Sequence, residues 1–374
     1  MRSRTLVTAR AGGFALAVLT AAACAGPDSR EPTTKPAAPA ERTFVTISAL
    51  VGGEKPAVSY LDNDNTIVHP DGSTLTLQAP TTPDDPNAEP VGRGFAGFAP
   101  YGDGWIVINP QFGGGFLALR NSDGSVRDNE VAELGYDVEW PMALRSGRDD
   151  GRVMYSNVTG RNVNDVVAHD PESGVRHTWD PPGDQAIRPV GFVGRDSVVF
   201  SDDVFEASGV YLGSPDGQVR TLAEPDEAWG ASELKGWITG SSDHYLELSE
   251  SEFTSGVFDA FTGEPIWTTD RTYAMWFSPD GEHVLGYDYP WEAVRLAILE
   301  SRSGLLLADV TFKGAARRLY VHDTAWEGDE HVLALVQDRR TWSLVRLGLD
   351  GSAELALPSV RGQGPPYYLP AHSS

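Results

Sequence analysis

The stretch TYAMWF (272–277), SPDG (278–281), HVLGYD (283–288), then after a loop AVRLAILE (293–300), SG (303–304) and LLLADV (305–310) decides the fold. Each apolar run is too short for a helix of ordinary length and is rich in β-branched and aromatic residues, which fit a pleated, half-buried surface. Pro-Asp-Gly and Ser-Gly between the runs are turn signals, because tight hairpin turns need positive φ and glycine adopts it without steric cost. Four short strands joined by hairpins in some 40 residues form one antiparallel unit.

The unit repeats. One series of glycines, Gly53, Gly104, Gly151, Gly194, Gly240, Gly281 and Gly328, advances in steps of 51, 47, 43, 46, 41 and 47 residues. A second, Gly72, Gly124, Gly174, Gly217, Gly263, Gly304 and Gly351, advances in steps of 52, 50, 43, 46, 41 and 47. Within a repeat the two glycines lie 19, 20, 23, 23, 23, 23 and 23 residues apart, so the series stay in phase. No long stretch has 3.6-residue periodicity. Seven four-stranded units of this length predict an all-β chain, a seven-bladed β-propeller of antiparallel blades. One blade cannot bury both its faces, so the seven form a single closed domain over residues 43–360. Phe44 to Val51 is expected as strand a of the first blade and Ser352 to Leu357 as strand d of the last. Pro365 to Leu369, in the tail 361–374, or the region of Arg42 is a candidate for an extra edge at the seam. Trp140, Trp237 and Trp276 fall in inner strands and Trp179 and Trp267 in outer ones, where they read as core between blades.

The segment FSPDGEHVL (277–285) resembles the WD40-like repeats of the periplasmic TolB family. The likeness is strong in that blade and degenerate in the others. It implies the fold alone, because propellers host binders, scaffolds and enzymes. A Gly-His and Trp-Asp pair in each blade, the mark of true WD40 repeats, is absent, and no α/β-hydrolase domain of the prolyl oligopeptidase kind is expected after blade seven.

Residues 1–23 read as a secretory signal: Arg2, Arg4 and Arg10 precede an apolar run too short to span a bilayer, and Ala21-Ala22-Ala23 lead to Cys24. Cys24 is the single cysteine. Its setting resembles a bacterial lipobox, which implies lipidation at Cys24, although Ala21 stands where such motifs usually carry Leu. The plainer alternative is a signal cut nearby with Cys24 idle. Residues 24–42 are Pro-rich and suit a disordered tether. The formal charge is −24, and without the three arginines of the signal the remainder stands at −27. That excludes nucleic acid as a main partner, since neutralising phosphates takes Lys and Arg, and leaves the lipid anchor as the only membrane contact. Basic residues are 25 Arg to 4 Lys, the bias of a GC-rich genome such as an actinobacterium's. The expected location is the outer face of the cell membrane.

Function is expected on the face that carries the b–c and d–a connections, which are longer and chemically richer than the a–b and c–d turns. Phe112, Phe205, Phe253, Tyr289 and Trp291 lie in those loops and suit stacking on a sugar or gripping a protein; packing over the blade ends is the competing use. Asp62, Asn109, Asn157, Asp202 and Asp288 close b strands. Asp62, Asp64, Asp202 and Asp288 are the weak candidates for a hard cation such as calcium, against the common role of Asp and Asn as turn initiators. No other cofactor is expected. No metal-protease, nucleophile-elbow, P-loop or dinucleotide motif occurs. His244, His283 and His331 share one repeat position and read as structural. The leading expectation is a binding or scaffolding module for a protein or an envelope glycan. The alternative is a secreted hydrolase or lyase, metal-assisted, with acids near the central channel.

Overall fold

The structure is a computed structural model and describes residues 40–79, 95–111, 114–134, 144–147, 151–158, 164–180, 187–194, 197–202, 209–242, 253–288, 294–314 and 319–372. Its strands form seven separate sheets, six of them with four antiparallel strands in chain order or its reverse, one of these six carrying a fifth strand. Blade 2 holds β5 (Gly97–Tyr101), β6 (Gly104–Gln111), β7 (Gly114–Arg120) and β8 (Val126–Leu134). Blade 3 holds β9 (Leu144–Ser146), β10 (Val153–Val158), β11 (Asn164–His169) and β12 (Arg176–Trp179). Blade 4 holds β13 (Ile187–Val193), β14 (Ser197–Asp202), β15 (Val210–Gly213) and β16 (Val219–Thr221), and blade 5 holds β17 (Glu227–Ser232), β18 (Trp237–Ser241), β19 (Ser255–Asp259) and β20 (Pro265–Thr269). Blade 6 holds β21 (Tyr273–Phe277), β22 (His283–Tyr287), β23 (Arg295–Glu300) and β24 (Leu306–Lys313). Blade 7 holds β25 (Leu319–Glu327), β26 (His331–Asp338), β27 (Thr341–Gly348) and β28 (Ala353–Arg361). The seven-bladed all-β propeller is therefore correct.

The innermost strands of blades 4, 5 and 6 are wholly buried, every residue of β13, β17 and β21 included, while β12 and β16 at the rim are largely exposed. Side chains between blades make the core. Outer tryptophans also bond to the next blade, Trp179 Nε1 donating to Ser214 O at 2.9 Å and Trp267 Nε1 to Ser301 O at 2.6 Å. The rim strands of blades 3 and 5 are thus tied to the following blade's c–d turn, as expected of core tryptophans.

All seven glycines of the second series have φ between 68° and 84° at the c–d turns. The first series is partly wrong. The a–b turns use Gly102, Gly151, Gly194, Gly236, Gly281 and Gly328, with φ between 58° and 70°. Gly240 instead lies inside β18, where a Cβ would stand 2.3 Å from the carbonyl oxygen of Glu227 and 2.5 Å from Pro225. It is glycine because a neighbouring backbone comes close, a cause that spacing does not separate from a turn.

The seam differs from expectation. β29 (Tyr367–Tyr368), within the candidate edge segment Pro365 to Leu369, lies on the inner side of β2 (Tyr60–Asp62), followed outward by β3 (Thr66–Val68) and β4 (Thr74–Thr76), so the C-terminal segment supplies strand a of blade 1. The segment assigned to that place, Phe44 to Val51, is elsewhere. β1 (Arg42–Thr46) runs parallel to β24 as a fifth, outermost strand of blade 6. Asp309 fastens it, accepting from Arg42 Nε at 3.2 Å and from Arg295 Nε at 2.7 Å; burial alone raises that carboxyl, but the two arginines outweigh it and hold it below the ordinary range. The chain then touches the rim of blade 7, where the Gly53 N–H donates to Leu355 O and the Leu355 N–H to Val51 O, both at 2.9 Å. Arg346 of β27 donates to the carbonyls of Glu54 (3.0 Å) and Lys55 (2.8 Å) before β2 begins. Residues 40–57 therefore strap blades 6 and 7 from outside, and residues 367–372 close the ring from inside.

Candidate functional site

Of the aromatic residues expected to meet a partner, Phe112, Phe205, Tyr289 and Trp291 lie outside the described residues, as does Cys24. Phe253 is only 7 % exposed and stacks on Tyr273, ring centroids 4.1 Å apart at 10°. Its ring packs over the end of blade 6, which corrects the expectation that it offers a face to a ligand.

The acids at the ends of b strands serve their own backbone. Asp62 Oδ1 accepts the N–H groups of Asp64 and Thr66, both at 2.9 Å, while Asp64 is exposed at the same turn. Asp288 Oδ1 accepts from the N–H groups of Val294 and Arg295 at 3.2 Å, and burial raises its carboxyl. Asn109 is buried, and the side chain of Asn157 is outside description. Among the described residues no group of three or more His, Cys, Asp or Glu side chains is placed to hold a metal.

Asp202 has a different environment. It is 7 % exposed, its Oδ2 accepts the Tyr211 hydroxyl at 3.1 Å, and burial pushes the carboxyl up to about 6. Between about pH 4 and 6 the folded state holds a proton that the unfolded chain has released, so this group makes stability fall as pH rises through that window. Asp202→Asn is expected to match the wild type near pH 4 and to exceed it near pH 7 by as much as ~3 kcal/mol. Urea melts at the two pH values measure the difference, and a pH-independent difference would disprove the raised carboxyl.

Two further places stand out among the described residues. A half-open cleft of about 280 Å³ lies between blades 3 and 4 on the face of the tight turns. Trp179, Phe192, Val198 and Ala168 form its apolar floor, and His169, Asp170, His177 and Arg152 stand around its mouth. Each of these polar groups is held by a neighbour, the His177 ring by stacking on Trp179 with centroids 5.8 Å apart. Tyr101 Oη lies 2.6 Å from His169 Nδ1, Asp170 Oδ1 accepts the Glu172 N–H at 2.9 Å, and Arg152 Nη2 donates to Glu233 at 2.5 Å. Burial lowers the His169 imidazole, and Arg176 nearby lowers it further. The size is at the small end for ligand pockets, and the location is opposite to the face expected from loop length.

The second place is the channel. Trp276 of β21 carries the guanidinium of Arg145, from β9, 4.7 Å from its ring centroid, and Trp229 of β17 carries that of Arg188, from β13, at 4.0 Å. Both arginines are buried, 1 % and 3 % exposed. Trp276 is tied to neighbouring strands: its Nε1 donates to Tyr287 Oη at 3.3 Å, Tyr287 Oη lies 2.5 Å from Thr324 Oγ1, and Trp326 Nε1 donates to Trp276 O at 3.2 Å. Asp323 of β25 faces the same space; its two oxygens accept the N–H groups of Thr324 (2.8 Å) and Leu369 (3.2 Å), and burial pushes its carboxyl up to about 7. Trp276 was read as core from the sequence, but its arginine neighbour was not. The only signal was an arginine at the inner strand of two successive repeats, ALRS (143–146) and AIRPV (186–190).

Together these features define a seven-bladed β-propeller with two buried cation–aromatic pairs on its inner strands. No protein-family description matches the sequence, and no curated protein matches it. Solved propellers do. TolB from Acinetobacter baumannii matches with 12% identity and a TM-score of 0.45, over 83% of this chain and 65% of that one. The β-propeller domain of the trilobed protease from Pyrococcus furiosus matches with 12% identity and a TM-score of 0.46, over 70% and 83%. Prolyl oligopeptidase B from Galerina marginata matches with 9% identity and a TM-score of 0.49, over 79% of this chain and 45% of the enzyme. The chain thus spans just under two thirds of TolB and under half of the oligopeptidase. These neighbours include proteins with and without catalytic activity in their names, and the likeness extends to fold alone.

Proposed function

We propose that this chain is an exported, lipid-anchored β-propeller that binds a protein or an envelope glycan through its b–c and d–a loop face. One observation carries the choice of face. The Ala40 N–H donates to Leu306 O, at the end of β24 next to the c–d turn, so the segment arriving from Cys24 joins the propeller on the side of the tight turns. A tether attached there keeps its point of entry off the loop-rich face, which is the reason for choosing that face. A binding role is favoured over turnover because Asp323, the acid beside the C-terminal segment, has both oxygens engaged by backbone N–H groups, those of Thr324 and Leu369.

Membrane fractionation of Cys24→Ala addresses the anchor: release to the medium is expected, and unchanged membrane retention overturns it. Phe112→Ala with Trp291→Ala addresses the face. Co-sedimentation with isolated cell wall, and capture from solubilised envelope, are expected to fall about tenfold, the loss of roughly 1.4 kcal/mol that truncating an anchor residue brings. His177→Ala with Val175→Ser, on the turn face, is expected to leave both unchanged. The reverse pattern assigns the binding to the cleft between blades 3 and 4.

A further inference from the structure

The last described residues do more than complete blade 1. After β29 the chain crosses the inner strands of four other blades. The Leu369 N–H donates to Asp323 of blade 7 at 3.2 Å, and Leu369 itself is 4 % exposed. Pro370 bridges to Phe98 of blade 2, and the Ala371 N–H donates to Phe98 O at 2.9 Å. His372 O accepts the Ser146 N–H of blade 3 at 3.2 Å, and Ser146 Oγ donates to Ala371 O at 3.4 Å. The imidazole of His372 then lies flat on Trp276 of blade 6, centroids 3.9 Å apart at 12°. The space left among Phe98, Leu144, Asp323 and His372 is about 20 Å³, little more than one water occupies.

This contact is built rather than incidental. The Trp276 ring is held by the Tyr287 hydroxyl, and Arg145 lies over it as well. The imidazole is presented by backbone hydrogen bonds on two sides of the channel. Its site is an aromatic plate with one cation beside it, and the tail's own ring is the occupant.

We propose that the centre of the channel is a binding site for a flat heteroaromatic ring of the imidazole type, and that His372 fills it in cis, so an outside ring enters only by displacing the C-terminal segment. The charge state fits. Burial first, and then Arg145, hold the His372 imidazole well below its ordinary value, so the bound ring is uncharged at neutral pH. Among the described residues that line the cavity beside His372, Asp323 carries the carboxyl, and burial raises it to about 7. A protonated ring there is buried and meets the Arg145 guanidinium, so the site prefers the free base.

The test is chemical rescue in the full chain. His372→Ala leaves the strand pairing of residues 367–371 in place and removes the ring. At about pH 8, where imidazole is the free base, added imidazole is expected to raise the melting temperature of the variant progressively up to roughly 100 mM, as a ligand of the folded state does. Tryptophan fluorescence is expected to change with the same midpoint, and the wild type to show neither effect. Near pH 5.5 the added ring is protonated and the rescue is expected to vanish. Equal response of variant and wild type, or none in a folded variant, overturns the proposal. Should the variant fail to fold, the wild type still decides. The His372 ring proton shifts in NMR are expected to stay flat from about pH 5.5 to 8, and titration near the ordinary histidine value of about 6.5 overturns the proposal.

Discussion

Removing residues 365–374 is expected to lower the melting temperature by roughly 10 °C or more and to broaden the transition. Blade 1 keeps only β2, β3 and β4, each three residues long, with the inner edge of β2 unpaired. The deletion exposes Leu61 and Phe98, both buried, and takes away Leu369, whose burial is worth about 2 kcal/mol. It also removes the edge-to-face contact of Tyr60 with Tyr367, 5.3 Å between centroids, and the backbone bonds to Phe98 and Ser146. At about 1 kcal/mol for each hydrogen bond, the total loss is about 5 kcal/mol or more. A domain of this size loses roughly 2–4 °C for each kcal/mol. Scanning calorimetry of the truncated chain measures it, and a transition within about 2 °C of the wild type would show that the ring does not depend on this seam.

Arg346→Met is expected to destabilise the chain by about 3–5 kcal/mol, the cost of breaking a buried ion pair from one side. Arg346 and Glu327 are 7 % and 6 % exposed. The guanidinium meets Glu327 through both Nε and Nη2, reaches Glu354 Oε1, and donates to the Glu54 and Lys55 carbonyls. These bonds, led by that to Glu327, raise the guanidinium further above its already high value, so it stays charged. Glu327 also accepts the Ala57 N–H, so the variant leaves a buried carboxylate and frees the strap at once. Arg346→Lys keeps the charge but loses the fork, and is expected to recover less than half of the stability. Glu327→Gln combined with Arg346→Met is expected to cost less than the sum of the two single changes. Urea denaturation of the four chains measures that coupling, and strict additivity would mean that the pair does not act as a unit.

Loop length and composition pointed to one face, whereas the enclosed sites among the described residues lie on the other face and in the channel. The reason is visible in Phe253 and Asp62. An aromatic ring in a loop reads the same whether it meets solvent or, like Phe253, stacks on a tyrosine twenty residues away. A carboxylate at a strand end reads the same whether it holds a cation or, like Asp62, caps its own turn. Arg145 and His372 gave still less sign. Their common neighbour, Trp276, is 131 residues from the first and 96 from the second.

What the sequence determined by itself was the repeat: short β runs and turns in which Asp-Gly or Ser-Gly satisfies a positive φ. That requirement is met within four residues, so it is written locally and survives in every c–d turn from Gly72 to Gly351. Tertiary structure alone decided which segment closes the ring, where the N-terminal strand lies and what fills the channel. β29 pairs with β2 over two residues, across some 300 positions of chain, and β1 joins β24 across more than 260. Such short edge pairings have no period of their own. They are chosen by which open strand edge and which buried pocket the folded ring presents, and those exist only once the other blades are in place.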